Sequence, residues 1–213
     1  DLLEKVDRGN YTISPGGQAL KRKAGEWTAA LTQIRDWRGG WWSAHTAHLG
    51  KAVRRNVSAR ERAFRLLGFK EFVAGLWLRP DNLTYSTTEM HTKLCHLGME
   101  EGAILSRSED MKQSKLATPI TLWSGPELNA SYERMSELLY QSEQRLIGQD
   151  LRTVTKETFV IGEYVIREIN ADPLLPSECI DTAKRKNMVE AMTRYSEFCH
   201  PYWAEILSAS GNT

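Results

Sequence analysis

Between Trp41 and Asp110 the apolar pattern of the chain switches from a period of two to a helical period and back, twice over. "WWSAHTAHL" alternates as an extended segment does. "NVSARERAFRLLGF" then places Ala59, Ala63 and Leu66 on one helical face, with Ser58 positioned to cap the start and Gly68 to end it. "EFVAGLWLRP" reads as the next strand. Ser86 or Thr87 suits the cap of a short helix that runs to Leu97 and stops at Gly98, and "GAILSRSE" is a third strand. Strands interleaved with helices in this order predict a small α+β sandwich of the ferredoxin-like kind.

The flanks carry different patterns. "DLLEKVDRGNYTISPGGQAL" reads as strand, turn, strand, because Asp7-Arg8-Gly9-Asn10 supplies turn chemistry and Tyr11, Thr12 and Ile13 favour extended backbone. Two short strands are marginal alone, so the hairpin is expected to belong to something larger. Leu20, Ala24, Trp27, Leu31 and Ile34 then recur at helical spacing, with Lys21, Arg22 and Lys23 on the opposite face. Beyond the sandwich, "SGPELNASYERMSELLYQSEQRLIG" has Ser124 at the cap, Pro126 in the first turn and Gly148 at the stop. Its stripe is Leu128, Tyr132, Met135, Leu139, Ser142 and Leu146. A further helix is expected from about Thr155 to Asn170. A last one, with Met188, Met192, Tyr195 and Cys199 facing one way, is expected to end before Pro201. The predicted class is α+β, with a hairpin and linker helix over 1–36, the sandwich over 37–122 and a helical domain over 123–213.

At 213 residues, with 41% apolar and 26% charged content, the chain is long enough to bury a sizeable core. No apolar run approaches the roughly 18 residues that a membrane span needs. Three cysteines without a framework spacing suit a reducing compartment, and a cytoplasmic location is expected. The net charge of +1 hides an asymmetry. Residues 1–79 hold 15 Lys and Arg against 7 Asp and Glu, a balance of +8, and residues 80–213 hold 13 against 20, a balance of −7. A basic front end is what a polyanion partner selects, although solvated helix faces also cluster charge.

Catalytic chemistry finds little support. His45 and His48, three apart in an extended segment, point to opposite faces. His91 and Cys95 are four apart on a helix, a geometry zinc accepts, but no further ligands sit nearby at usual spacing. No nucleophile elbow, phosphate loop or Cys-x-x-Cys pair occurs. No catalytic residue, metal or cofactor is therefore assigned.

Several segments together resemble the bacterial PaaX-like transcriptional regulators, named for the repressor of phenylacetate degradation. "NYTISPGGQAL" is similar to the family's wing strand and the helix start that follows it. "DWRGGWW" is similar to its Trp-Asp-Gly-x-Trp strand entry, and "RAFRLLGFKEFVAGLWLRPDNL" to its Leu-x-x-x-Gly-Phe…Gly-x-Trp-x-x-Pro stretch. "EINADPLLPSE" is similar to its Asp-Pro-x-Leu-Pro segment. The order holds from about Leu2 to Trp203. Where the family continues with a Trp-Pro-Gly turn, this chain reads "CIDTAKRKN". The resemblance places Asp1 near the end of a winged helix-turn-helix, so the sequence is expected to be a fragment that lacks the reader helices, the alternative being a relative that has lost its reader helix.

The resemblance implies a cytoplasmic DNA-binding regulator, expected to repress a catabolic operon and to be released by a small acidic metabolite or its coenzyme A thioester. It implies a homodimer on a two-fold operator, with the 126–147 helix as a candidate contact. A wing touches phosphates, which suits Lys5, Arg8, Asn10 and Tyr11, with Lys21, Arg22 and Lys23 extending the footprint. Arg54, Arg55, Arg60, Arg62 and Arg65 are expected on the surface of the sandwich. In "GLWLRPDNL", Leu76 and Leu78 would face one side and Trp77 the other, with Arg79 at the exit. Arg79, Trp123 and Arg167 are the expected effector contacts; alternatively Arg79 pairs with a carboxylate of the acidic second half and Trp77 is core. The rival reading is an enzyme on the same core. Small nucleases of that kind would carry an aspartate at the end of the first strand, and "WWSAHTAHL" has none.

Overall fold

The computed structural model describes residues 3–7, 10–13, 30–50, 52–109 and 119–209. Its first two strands are β1 (Leu3–Asp7) and β2 (Asn10–Ile13). Two compact units divide the chain. One comprises Ala30–Leu128 with Ala171–Thr182; the other comprises Asp1–Ala29, Asn129–Asn170 and Ala183–Thr213.

The unit that begins at Ala30 is built on a four-stranded antiparallel sheet. Its elements run β3 (Trp41–His45), α1 (Arg54–Leu66), β4 (Lys70–Val73), β5 (Leu76–Pro80), α2 (Thr87–His96) and β6 (Ile104–Ser108). The strand order is β4-β5-β3-β6. Register places Trp42 opposite Arg79 and Ala44 opposite Trp77, so these four share one face. Both helices cover that face: Ala63 and Phe64 of α1 and Met90 and Leu94 of α2 pack with Trp42, Ala44, Phe69, Trp77 and Leu83 in one buried cluster. Phe64 stacks on Trp77 with centroids 4.9 Å apart. Burying each such ring contributes about 1.5–3 kcal/mol. Leu78 lies on the other face beside Ser43, as the alternation of the strand requires. That face is also covered. Trp41 stacks on Trp123 at 6.1 Å and meets the edge of Trp37 at 5.1 Å.

Three local expectations need correction. "EFVAGLWLRP" is two strands, because Gly75 takes φ +77 and turns the chain between Val73 and Leu76. The Gly75 amide is held by Glu71 Oε1 at 2.8 Å. Helix α1 starts at Arg54 with no side-chain cap, which leaves Ser58 inside it. The face it buries is Arg60, Ala63 and Phe64, with Leu66 left 40% exposed. Arg60 is thereby buried, and it pairs with Glu100 at 3.2 Å, whereas Arg54, Arg55, Arg62 and Arg65 are exposed. For α2 the expectation holds: Ser86 and Glu89 form a reciprocal capping box, and Gly98 at φ +112 follows the last turn.

In the other unit, β1 and β2 form an antiparallel ribbon. Most of α3 (Gly125–Leu146), all of α4 (Leu151–Asn170) and nearly all of α5 (Thr182–Ala209) belong here. The stripe of α3 is buried at Tyr132, Met135, Leu139, Ser142 and Leu146, and that of α5 at Met188, Met192, Tyr195 and Cys199. Helix α4 starts earlier than its periodicity suggests, since Asp150 accepts from the amides of Arg152 and Thr153 at 3.0 and 3.1 Å. Helix α5 does not end before Pro201 but runs through it. A polar knot, buried at Ser142 and Tyr195 and open to solvent at Arg145, crosses this unit. Ser142 Oγ lies 2.8 Å from Tyr195 OH and donates to Glu157 Oε1 at 2.9 Å, and Arg145 donates to the same oxygen at 2.8 Å. Among the described residues, no helix is long and apolar enough to cross a membrane.

Candidate functional site

At the end of β5 the chain buries a full charge. Arg79 is 1% exposed. It donates from Nη1 to the carbonyl of Leu67, and from Nη2 to Asn82 Oδ1 at 3.3 Å and to the carbonyl of Leu174 at 3.4 Å. Asn82 Nδ2 donates to that same carbonyl at 2.7 Å. Burial pulls the Arg79 guanidinium down to about 10, partly offset by the charges of Tyr85, Asp172 and Asp81, so it stays protonated at neutral pH. The expected strand exit is therefore occupied by a clasp: one side chain ties the end of α1 and the segment after α4 to the sheet.

The clasped segment is itself unusual. Leu174 has φ +52, a conformation that costs a non-glycine residue about 1–2 kcal/mol. Its amide donates to Asp172 Oδ1 at 2.6 Å while its carbonyl takes the two donors above, so three hydrogen bonds hold it. Gly68 makes the close approach possible. A Cβ there would lie 2.8 Å from the carbonyl oxygen of Pro173 and 3.2 Å from Arg79 Nη1. Only the missing side chain admits the loop.

Beside this contact lies a cleft of about 370 Å³, lined among others by Arg65, Gly68, Lys70, Trp123, Glu127 and Pro173. All of its described lining residues belong to the sheet unit. Trp123 is fixed there by its indole N–H, which donates to the carbonyl of Gly68 at 3.0 Å, and by its stack on Trp41. The expected effector residues thus fall in three settings. Trp123 lines the cleft. Arg79 is buried behind Gly68 with its terminal nitrogens engaged. Arg167 is an exposed residue of α4 in the other unit, 5.6 Å from the Tyr164 ring.

Of the residues expected to meet DNA, Lys5, Asn10 and Tyr11 lie on the β1–β2 ribbon, where Lys5 pairs with Tyr11 and Asp7 with Asn10. Arg8, Lys21, Arg22 and Lys23, and with them most of the expected linker helix, lie outside the described residues. Sequence reasoning did not single out Asn82, Leu174 or Lys70 as partners. Gly68 carried a signal, as a helix stop, but nothing in a linear reading joins it to a loop over ninety positions away.

Among the described residues, no group of three or more His, Cys, Asp or Glu is placed to hold an ion. His91 lies beside the Cys95 sulfur at 3.7 Å, and burial pushes the Cys95 thiol up, so it is no activated nucleophile. His48 is spent on the carbonyl of Gly102 at 2.8 Å.

The fold is similar to that of an uncharacterized protein, Rv0674, from Mycobacterium tuberculosis, at 18% identity and a TM-score of 0.56, over 94% of this chain and 78% of that one. At that identity the likeness is one of fold alone. No family model matches the chain, and no curated protein matches it.

Proposed function

We propose that this chain acts as a DNA-binding transcriptional regulator of the PaaX-like kind, a repressor of a catabolic operon released by a small acidic effector or its coenzyme A thioester. The observation that carries the reading is the antiparallel ribbon that pairs Lys5 with Tyr11 at the basic end of the chain. A β-ribbon followed by a sheet unit and a helical unit is the element order that a wing, a middle domain and a C-terminal domain require. The β-α-β-β-α-β path with strand order β4-β5-β3-β6 supports a ferredoxin-like assignment for the middle part.

In this reading Lys5, Arg8, Asn10 and Tyr11 contact phosphates, add salt-dependent affinity and contribute little sequence choice. Lys21, Arg22 and Lys23 extend the footprint, and a homodimer places two such ribbons on a two-fold operator. The effector acts by its different affinity for the DNA-bound and released shapes. Trp123 is its contact, and Arg79 positions the loop behind it.

The test is binding of promoter-sized duplex DNA by the full-length protein, with and without acyl-CoA esters and their free acids. Tight binding at low salt that an acid or ester releases supports the reading. Indifference to DNA at low salt, or turnover of a substrate, contradicts it.

A further inference from the structure

We infer that the Trp123 cleft binds a small organic anion, a free carboxylate or phosphate monoester with an apolar body, and not a coenzyme thioester. The inference deepens the effector half of the regulator reading and rests on it.

Two cations face the cavity. Lys70 has no ion-pair partner among the described residues, and Arg65 reaches only Glu61, at a loose 3.9 Å. Both are exposed and solvated, so neither needs compensation from the fold, and each is available to an arriving anion. Glu127 is the single carboxylate among the described lining residues, which carry a formal surplus of one positive charge. Leu122, Trp123, Leu128 and Pro173 give the remaining wall its apolar character. Trp123 is held in place before any ligand arrives, so binding costs little ordering there.

Size narrows the class. About 370 Å³ lies at the small end of the range for ligand cavities. It admits a ring or short chain bearing one acidic group. A thioester carries its nucleotide and pantetheine arm as well, which would have to lie outside the cavity, and its acyl end lacks the free acid group that Lys70 and Arg65 would pair there.

Calorimetric titration of the chain without DNA tests the inference, with benzoate and phenyl phosphate as anionic probes and with benzyl alcohol, inorganic phosphate and benzoyl-CoA as controls. Benzoate or phenyl phosphate is expected to bind with saturation, and benzyl alcohol and inorganic phosphate each at least about tenfold more weakly. Lys70→Ala and Arg65→Ala, both at exposed positions, should each weaken the anionic probe about fivefold, and Glu127→Gln should tighten it. Absence of binding by both anions at millimolar concentration overturns the inference. So does affinity unchanged in Lys70→Ala and Arg65→Ala, or tighter binding of benzoyl-CoA than of benzoate. The titration contains no DNA, so its failure leaves the ribbon reading standing, and failure to bind DNA leaves the titration standing.

Discussion

The guanidinium of Arg79 and the carbonyl of Leu174 are 95 positions apart in sequence and 3.4 Å apart in the fold. That contact is the centre of a buried network in which every acceptor of the guanidinium is a neutral oxygen of the protein itself. Charge burial of this kind costs several kcal/mol unless hydrogen bonds replace the water that burial removes, and here Leu67, Asn82 and Leu174 supply them.

Replacing Arg79 by Met should therefore lower stability by about 3 kcal/mol, since two carbonyls and an amide oxygen are deprived of a charged donor. Asn82→Ala should cost about 1–2 kcal/mol, and the double variant less than the sum, because both donors share the Leu174 carbonyl. Urea unfolding of the four proteins measures the coupling.

Glycines of like conformation should differ in cost according to their surroundings. Gly148 has φ +77 with nothing within 4 Å of a built Cβ, so Gly148→Ala should cost only the left-handed penalty of about 1 kcal/mol. Gly75 has φ +77 too, but its Cβ would lie 2.7 Å from the backbone of Ala47, and Gly75→Ala should cost at least about 3 kcal/mol. Equal destabilisation of the two variants by denaturant titration would contradict this turn geometry.

How much of the fold is legible in the sequence follows from how local each signal is. The capping box of α2 and the buried stripe of α3 depend on residues three or four apart, and both are readable. The turn at Gly75 is hidden because Phe72 to Leu78 stays apolar through it, and alternation cannot tell one strand from two that pair with each other. Pro201 misleads for the opposite reason: the helix runs through it, and the Phe198 and Tyr202 rings on either side of it pack together at 5.6 Å. Arg79 reads as a ligand contact because an arginine beside tryptophans is ambiguous in sequence. Its partners are two backbone carbonyls and one amide, and backbone carbonyls carry no residue-type signal.

Alkaline pH should destabilise the fold. Burial pushes the thiols of Cys179 and Cys199 up to about 11 and about 12, against 9.0 in the unfolded chain, and the Tyr195 hydroxyl up to about 12 against 10.0. Between the two values the unfolded chain has released protons that the folded chain keeps, so stability is full below pH 9 and falls as pH rises. Each thiol can contribute up to about 1.4 kcal/mol per pH unit across its window. Urea midpoints at pH 8 and pH 10 check this, with Cys199→Ala showing a shallower decline than the parent chain.

Acid should act through Glu157. The hydrogen bond from Arg145, aided by that from Ser142, holds its carboxyl below the usual range. The associated stability is present above the unfolded pKa and disappears as pH falls through the folded one. Glu157→Gln should flatten the acid limb of the stability profile, and thermal melts from pH 6 downward measure the difference.

The regulator reading is tested most directly by the salt dependence of duplex DNA affinity in the full-length protein, compared with Lys5→Ala and Arg8→Ala variants. Removing one phosphate-binding side chain should reduce the slope of log affinity against log salt by about 0.9, and affinity should fall alike on all sequences. Slopes and affinities equal to those of the parent protein would show that the β1–β2 ribbon does not touch nucleic acid.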